Sequence, residues 1–169
     1  MRHAQGNVAV FTFKDGILAR AAHDLALRFE QFDIALDGET ITASFPLSAL
    51  RVMGPVEDGL VRADLHDAGK RREIEQAMHD DLLHSARHPS ARFSGRAIAS
   101  PDGFQVGGEL ELCGRSAPLS FSVRREGDLY RARFEMQPSR WGIAPYRALL
   151  GAIKLKDTVR VELALSEVI

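Results

Sequence analysis

Large apolar side chains recur at every second position in short runs, and each run stops at turn chemistry. This alternation limits the chain more than any other feature, because a period of two gives a strand one dry face and one wet face. In LALRFEQFDIAL (25–36), Leu25, Leu27 and Phe29 alternate with Ala26, Arg28 and Glu30, and the run ends at Asp37-Gly38. Asp-Gly supplies the positive φ that a tight hairpin needs. The same grammar appears in NVAVFTF (7–13) before Lys14-Asp15-Gly16, and ILARAA (17–22) follows. It continues in TITASFP (40–46), ARFSGRAIA (91–99), FQVGGELELC (104–113), PLSFSVRR (118–125), LYRARFEMQ (129–137) and TVRVELALSEVI (158–169). The later turns fall at Ser-Pro-Asp-Gly (100–103), Gly114-Arg115 and Glu-Gly-Asp (126–128). Five such turns between short alternating runs predict an antiparallel meander of about eight or more strands.

The middle of the chain breaks the pattern. Strong helix formers run from Lys70 to Leu83, and Ile74, Ala77, Met78 and Leu82 fall at helical spacing on one face. Asp67 suits the N-cap, and Pro89 disfavours helical geometry at His88, so the helix ends before it. One helix among many strands predicts a barrel with a helical insertion rather than a βαβ fold. Closure removes the unpaired edges that an open antiparallel sheet leaves, and then every second side chain points inward.

The inward set is Leu25, Leu27 and Phe29, then Leu110 and Leu112, then Leu119, Phe121 and Val123, then Tyr130, Ala132, Phe134 and Met136. The alternate positions (Arg28, Glu30, Glu109, Glu111, Arg131, Arg133, Glu135) are charged and suit water. Eight strands leave room either for packed side chains or for one apolar ligand, and the alternation is compatible with both.

At 169 residues the chain reads as one domain, 1–169, large enough to fold without a disulfide or metal. Its 22 basic and 23 acidic side chains leave no field to attract nucleic acid, and the few aromatics are not interleaved with a basic stripe. Cys113 is the only cysteine, which excludes an intramolecular disulfide and a CxxC site and fits a reducing compartment. No apolar run approaches the roughly 20 residues of a membrane-spanning helix. The N-terminus carries no apolar leader with a small-residue cleavage site. The expected location is therefore cytoplasmic for the chain as given, or periplasmic if an export signal has been removed.

The polar residues offer few catalytic patterns. His23-Asp24 opens a strand and suits either a head-group contact at a barrel mouth or the satisfaction of strand-end backbone donors. His79, His84 and His88, with Asp80 and Asp81, invite a metal reading, but Pro89 spoils the one-face geometry of His84 and His88, so no metal site is expected. Cys113 lacks a neighbouring base, the serines lack a G-x-S-x-G elbow, and the glycine pair at 107–108 opens no helix. The segment SRWGIAPYRALLGA (139–152) mixes Trp141, Tyr146, Leu149 and Leu150 with Arg140 and Arg147. Trp and Tyr serve where one end is dry and the other wet, so this loop reads as a lid or mouth, an edge that docks on a membrane, or a plug of the barrel end.

Several blocks together, in order, resemble the YceI-like family: HDLALRFEQFDIAL, DLLHSARHPSARFSG, FQVGGELELCGRSAPLSFSV and SRWGIAPYRALLGAIKLKDTVRVELAL. The resemblance runs from about His23 to the end, and His88-Pro89 stands where the family has Tyr-Pro. It implies an all-β fold: a closed antiparallel eight-stranded lipocalin-like barrel holding a polyisoprenoid or isoprenoid-quinone chain.

The expected function is thus a binding or carrier protein for a long apolar ligand, with no catalytic residue and no cofactor beyond a bound isoprenoid-type lipid. The expected lumen residues are Leu25, Leu27, Phe29, Phe93, Leu110, Leu112, Phe121, Phe134 and Met136, with Trp141 closing the lumen. His23, Asp24, Arg140 and Tyr146 are the candidates for the mouth or a head group. The expected partner is an apolar small molecule, with no nucleic acid and no transmembrane segment, and a homodimer fits as well. The alternatives are a barrel enzyme on a small apolar substrate, with His23, Asp24 or His88 as acid and base, and a filled barrel that serves only as an interaction domain.

Overall fold

The computed structural model describes residues 1–16, 23–148 and 153–168. The run at 17–22 and the residues Leu149 and Leu150 lie outside them. Among the described residues are twelve strands: β1 (Arg2–Asp15), β2 (Asp24–Phe29), β3 (Asp33–Asp37), β4 (Thr40–Pro46), β5 (Leu50–Glu57), β6 (Leu60–Val61), β7 (Ser90–Ser100), β8 (Gly103–Leu112), β9 (Arg115–Glu126), β10 (Leu129–Met136), β11 (Arg147–Ala148) and β12 (Ile153–Val168). An α-helix, α1 (Ala68–Ala77), lies between β6 and β7.

The sheet closes because β1 pairs with β12 along nearly its whole length, from His3↔Val168 to Asp15↔Lys154. The ring runs β12-β10-β9-β8-β7-β4-β3-β1 and back to β12, an eight-stranded antiparallel barrel. The pairings are those of a meander, and the hairpins β7–β8, β8–β9 and β9–β10 carry the regular alternation read in the sequence.

The run at 25–36 is not one strand. It divides into β2 and β3, which both pair with the same edge of β1: β2 opposite Ala9–Thr12, β3 opposite Arg2 and His3. The physical reason is a corner. Phe45 sits between Phe29 and Phe32, with centroids 5.2 Å and 6.2 Å away, and the backbone N–H of Glu30 donates to the Ala49 carbonyl at 2.9 Å. Before the corner, β2 keeps β1 on one edge and takes β5 on the other, outside the eight-stranded ring.

The turns follow the chemistry with two amendments. The hairpin β8–β9 turns on Cys113-Gly114 (φ 52° and 76°), one residue earlier than expected, because Leu112 pairs with Arg115. Positive φ at both central residues is what the strand twist demands of a two-residue turn. A further hairpin, β5–β6, turns on Asp58-Gly59 (φ 50° and 77°), an Asp-Gly signal the strand count passed over.

Asp67 caps α1 as expected, accepting from the Lys70 backbone N–H at 2.7 Å. The helix begins at Ala68, and its continuation Met78–Leu83 is a π-helical turn. The stop comes at His84, whose left-handed backbone (φ 48°) ends the segment well before Pro89.

Candidate functional site

The inward faces do not fill the barrel. They enclose a cavity of about 350 Å³, within the range of small-molecule sites. Its wall is assembled strand by strand from alternate positions: Val8 and Val10 of β1, Phe93 of β7, Leu110 and Leu112 of β8, Phe121 of β9, Phe134 and Met136 of β10, and Val159, Val161, Leu163 and Leu165 of β12. The intervening charges face water and pair there, as in Arg131–Glu126 and Arg133–Glu162, both at 2.9 Å.

Of the residues proposed for the lumen, Leu27, Phe29, Phe93, Leu110, Leu112, Phe121, Phe134 and Met136 line this cavity. Leu25 does not. It is half-buried at the start of β2, opposite Thr12 and Pro55, beyond the point where the pairing with β5 slips by one residue. Thr12 takes the wall at that level.

Trp141 does not close the lumen either. It is 1% exposed in the core, and its indole N–H donates to the Leu110 carbonyl at 2.8 Å. A buried indole needs such a partner, and the Leu110 main chain supplies one. The wall at that level comes from its loop neighbours Pro138, Ile143, Pro145 and Tyr146.

Among the mouth candidates only Tyr146 reaches the cavity, and it is 40% exposed. Arg140 is exposed and lies over the Trp141 ring at 5.5 Å. Asp24 accepts from the Lys14 backbone N–H at 2.7 Å, a strand-end contact. His23 stands 3.9 Å from Glu57 and edge-on to His66, outside the wall.

The acid–base alternative is not assembled around the cavity: His23, Asp24 and His88 are absent from its wall. The His88 ring instead lies against Gly114, where an added Cβ would come within 2.9 Å of Cε1. His79 bonds Ser85 at 2.7 Å. Among the described residues no three His, Cys, Asp or Glu are grouped to hold a metal. The Cys113 thiol is pushed up by burial and donates to the Leu83 carbonyl at 3.3 Å.

Polar groups meet the cavity mainly at its two ends. Arg2, His3 and Ser166 lie where β1 begins and β12 finishes. Tyr146, Lys156 and Asp157 lie at the other end, where Asp157 accepts from the backbone N–H of Ser139 at 3.0 Å and from its hydroxyl. Sequence reasoning missed several parts of the wall. Val8 and Val10 of β1, Ile34 of β3, Ile41 and Phe45 of β4 and the inward residues of β12 all line it, although the alternation in TVRVELAL was legible. Met78, Leu82 and Leu83 line the cavity from the helical insertion. Helical spacing marked Met78 and Leu82 as an apolar face but not what that face covers. Among the described residues no helix is long and apolar enough to cross a membrane.

A family model described as a YceI-like domain matches residues 10–166. Among solved structures the chain is similar to Burkholderia cenocepacia BcnA, with 15% identity, a TM-score of 0.61 and 94% of each chain covered. It is also similar to a polyisoprenoid binding domain from Saccharophagus degradans implicated in plant cell wall breakdown, with 11% identity, a TM-score of 0.59 and 98% and 97% of the two chains covered. A Campylobacter jejuni YceI protein matches at 9% identity and a TM-score of 0.57, over 85% of this chain and 84% of that one. No curated protein matches the chain.

Proposed function

The chain belongs to the YceI-like family, and from that premise we propose that it binds or carries a long apolar ligand, of polyisoprenoid or isoprenoid-quinone type, in the barrel lumen. The observation that carries this reading is the cavity of about 350 Å³, walled by aliphatic and phenyl side chains with polar atoms confined mainly to its ends. Such a wall offers a chain-like hydrocarbon dispersion contacts and removal from water, and it offers a polar substrate little beyond the Thr12 hydroxyl along its length.

The energetics suit a carrier. Each buried methylene contributes about 0.8 kcal/mol, so about ten of them supply roughly 8 kcal/mol before the cost of association. A net gain of that size corresponds to a micromolar Kd, so a chain longer than about ten methylenes, which also offsets the cost of association, reaches that range without one polar contact. Leu27, Phe29, Phe93, Leu110, Leu112, Phe121, Phe134 and Met136 are the ligand-contacting residues in this reading, with Tyr146 at an exposed end. It assigns the protein binding and no bond-making step.

Organic extraction of the purified protein, followed by mass spectrometry, tests it. The expected result is a co-purifying lipid with a long apolar chain, or saturable uptake of a prenyl-chain probe by extracted protein. An empty extract together with no uptake of the probe would sink the reading.

A further inference from the structure

The ring of strands is continuous at only one end of the barrel. At the end where β4 stops, β5 continues, and β5 pairs only with β2 and β6. On the far side of the gap, β7 pairs only with β4 and β8. Among the described residues no strand joins β5 to β7, and a seam lies there in the wall of an otherwise hydrogen-bonded cylinder. The helical insertion fills it. Met78, Leu82 and Leu83 of the π-helical turn supply the cavity wall, and Ile74, Met78 and Leu83 pack on Leu27, Leu50 and Val52.

This patch is held differently from the rest of the wall. Strands are joined by ladders of backbone bonds, whereas the helical patch is tied by side chains. The Glu75 carboxylate accepts the backbone N–H of Val52 at 2.9 Å, standing in for the missing strand partner on the open edge of β5. Its other oxygen accepts from Arg51 at 3.2 Å, and its side chain is 12% exposed. On the opposite flank the Cys113 thiol donates to the Leu83 carbonyl at 3.3 Å. α1 itself buries no residue fully. A π-helical turn is a less regular hydrogen-bonded segment than an α-helix and often marks a functional position.

Resting on the binding reading above, we propose that Ala68–Leu83 is a side gate through which an apolar chain enters and leaves the lumen between β5 and the β8–β9 turn, with Glu75 as its latch. Opening it costs a few side-chain contacts, while parting any two ring strands breaks a ladder. The latch acts on passage, not on the bound state, because Glu75 is not in the cavity wall.

Stopped-flow fluorescence with cis-parinaric acid on extracted protein tests the gate. Glu75→Ala is expected to raise both the association and the dissociation rate constants, each by about tenfold, and to leave Kd unchanged. Glu75→Gln keeps an acceptor for Val52 and loses the charge facing Arg51, so a smaller rise in both rates is expected. Cys113 gives a readout that needs no ligand: its labelling by a thiol reagent is expected to quicken in the Ala variant. Unchanged rates in both variants, or faster dissociation with unchanged association, would overturn the gate while leaving the binding reading intact. A wild-type protein that gives an empty extract and takes up neither cis-parinaric acid nor a prenyl-chain probe would overturn both.

Discussion

Phe121 of β9 lies flat on Phe134 of β10, with ring centroids 4.2 Å apart and 12° between the planes, and both rings face the cavity. Phe93 approaches Phe121 at 6.3 Å from the neighbouring side. A charge placed in this stack has no partner in the apolar part of the wall, and burying it unpaired is prohibitive. Phe121→Arg is therefore expected to abolish uptake of a prenyl-chain probe. Arg131→Ala, which removes only an exposed pair with Glu126 worth about 0–1 kcal/mol, is expected to leave uptake and unfolding midpoint nearly unchanged. Equal affinity of the two variants in a fluorescence titration would refute the proposed lining.

The Trp141 indole gives stability without touching the cavity. Trp141→Phe leaves the buried Leu110 carbonyl without its side-chain donor, a loss of about 1–3 kcal/mol. Urea unfolding is expected to show that loss at an unchanged denaturant slope, with probe affinity as in wild type. A drop in affinity at unchanged stability would mean that the indole acts in the lumen after all.

Two glycines separate crowding from backbone conformation. Gly108 is register-paired with Gly95, and a Cβ there would stand 2.2 Å from the Ser94 carbonyl oxygen and 2.6 Å from the Gly95 Cα. These are backbone atoms that no rotamer change can move, so Gly108→Ala is expected to cost about 3 kcal/mol or more. At Gly127 a Cβ meets nothing within 4 Å, but φ is +62°, so Gly127→Ala is expected to cost only about 1 kcal/mol. Thermal unfolding of the two variants side by side checks the order.

His66 sets a pH dependence of known sign. Burial lowers its pKa from the ordinary 6.5, and His23, Lys70 and Arg71 push the same way against a smaller opposing effect of Asp67. Its Nδ1 is buried without a partner. The unfolded chain then binds the proton more readily than the folded one, so the contribution to stability is present above pH 6.5 and declines as pH falls toward the lower folded value. His66→Gln is expected to flatten that part of the stability profile. An NMR titration that places His66 at or above 6.5 would contradict the assignment.

Whatever depends on near neighbours along the chain was legible in the residues alone. Alternation over two or three residues decided which face of each strand is apolar, and so brought Leu110, Leu112, Phe121, Phe134 and Met136 to the cavity wall. Asp-Gly pairs placed turns because few residues tolerate positive φ, and Asp67 capped its helix for an equally local reason. Closure of the barrel set what depends on curvature summed around the ring. It divided the run at 25–36 at the Phe29–Phe45 corner, carried Leu25 out of the wall, and drew Trp141 into the core. It also left β5 with an open edge for Glu75 and the helical turn to cover. Whether an apolar face packs shut or encloses empty space is set by how far apart the opposing strands close, and that distance is a property of the whole barrel and of no single segment.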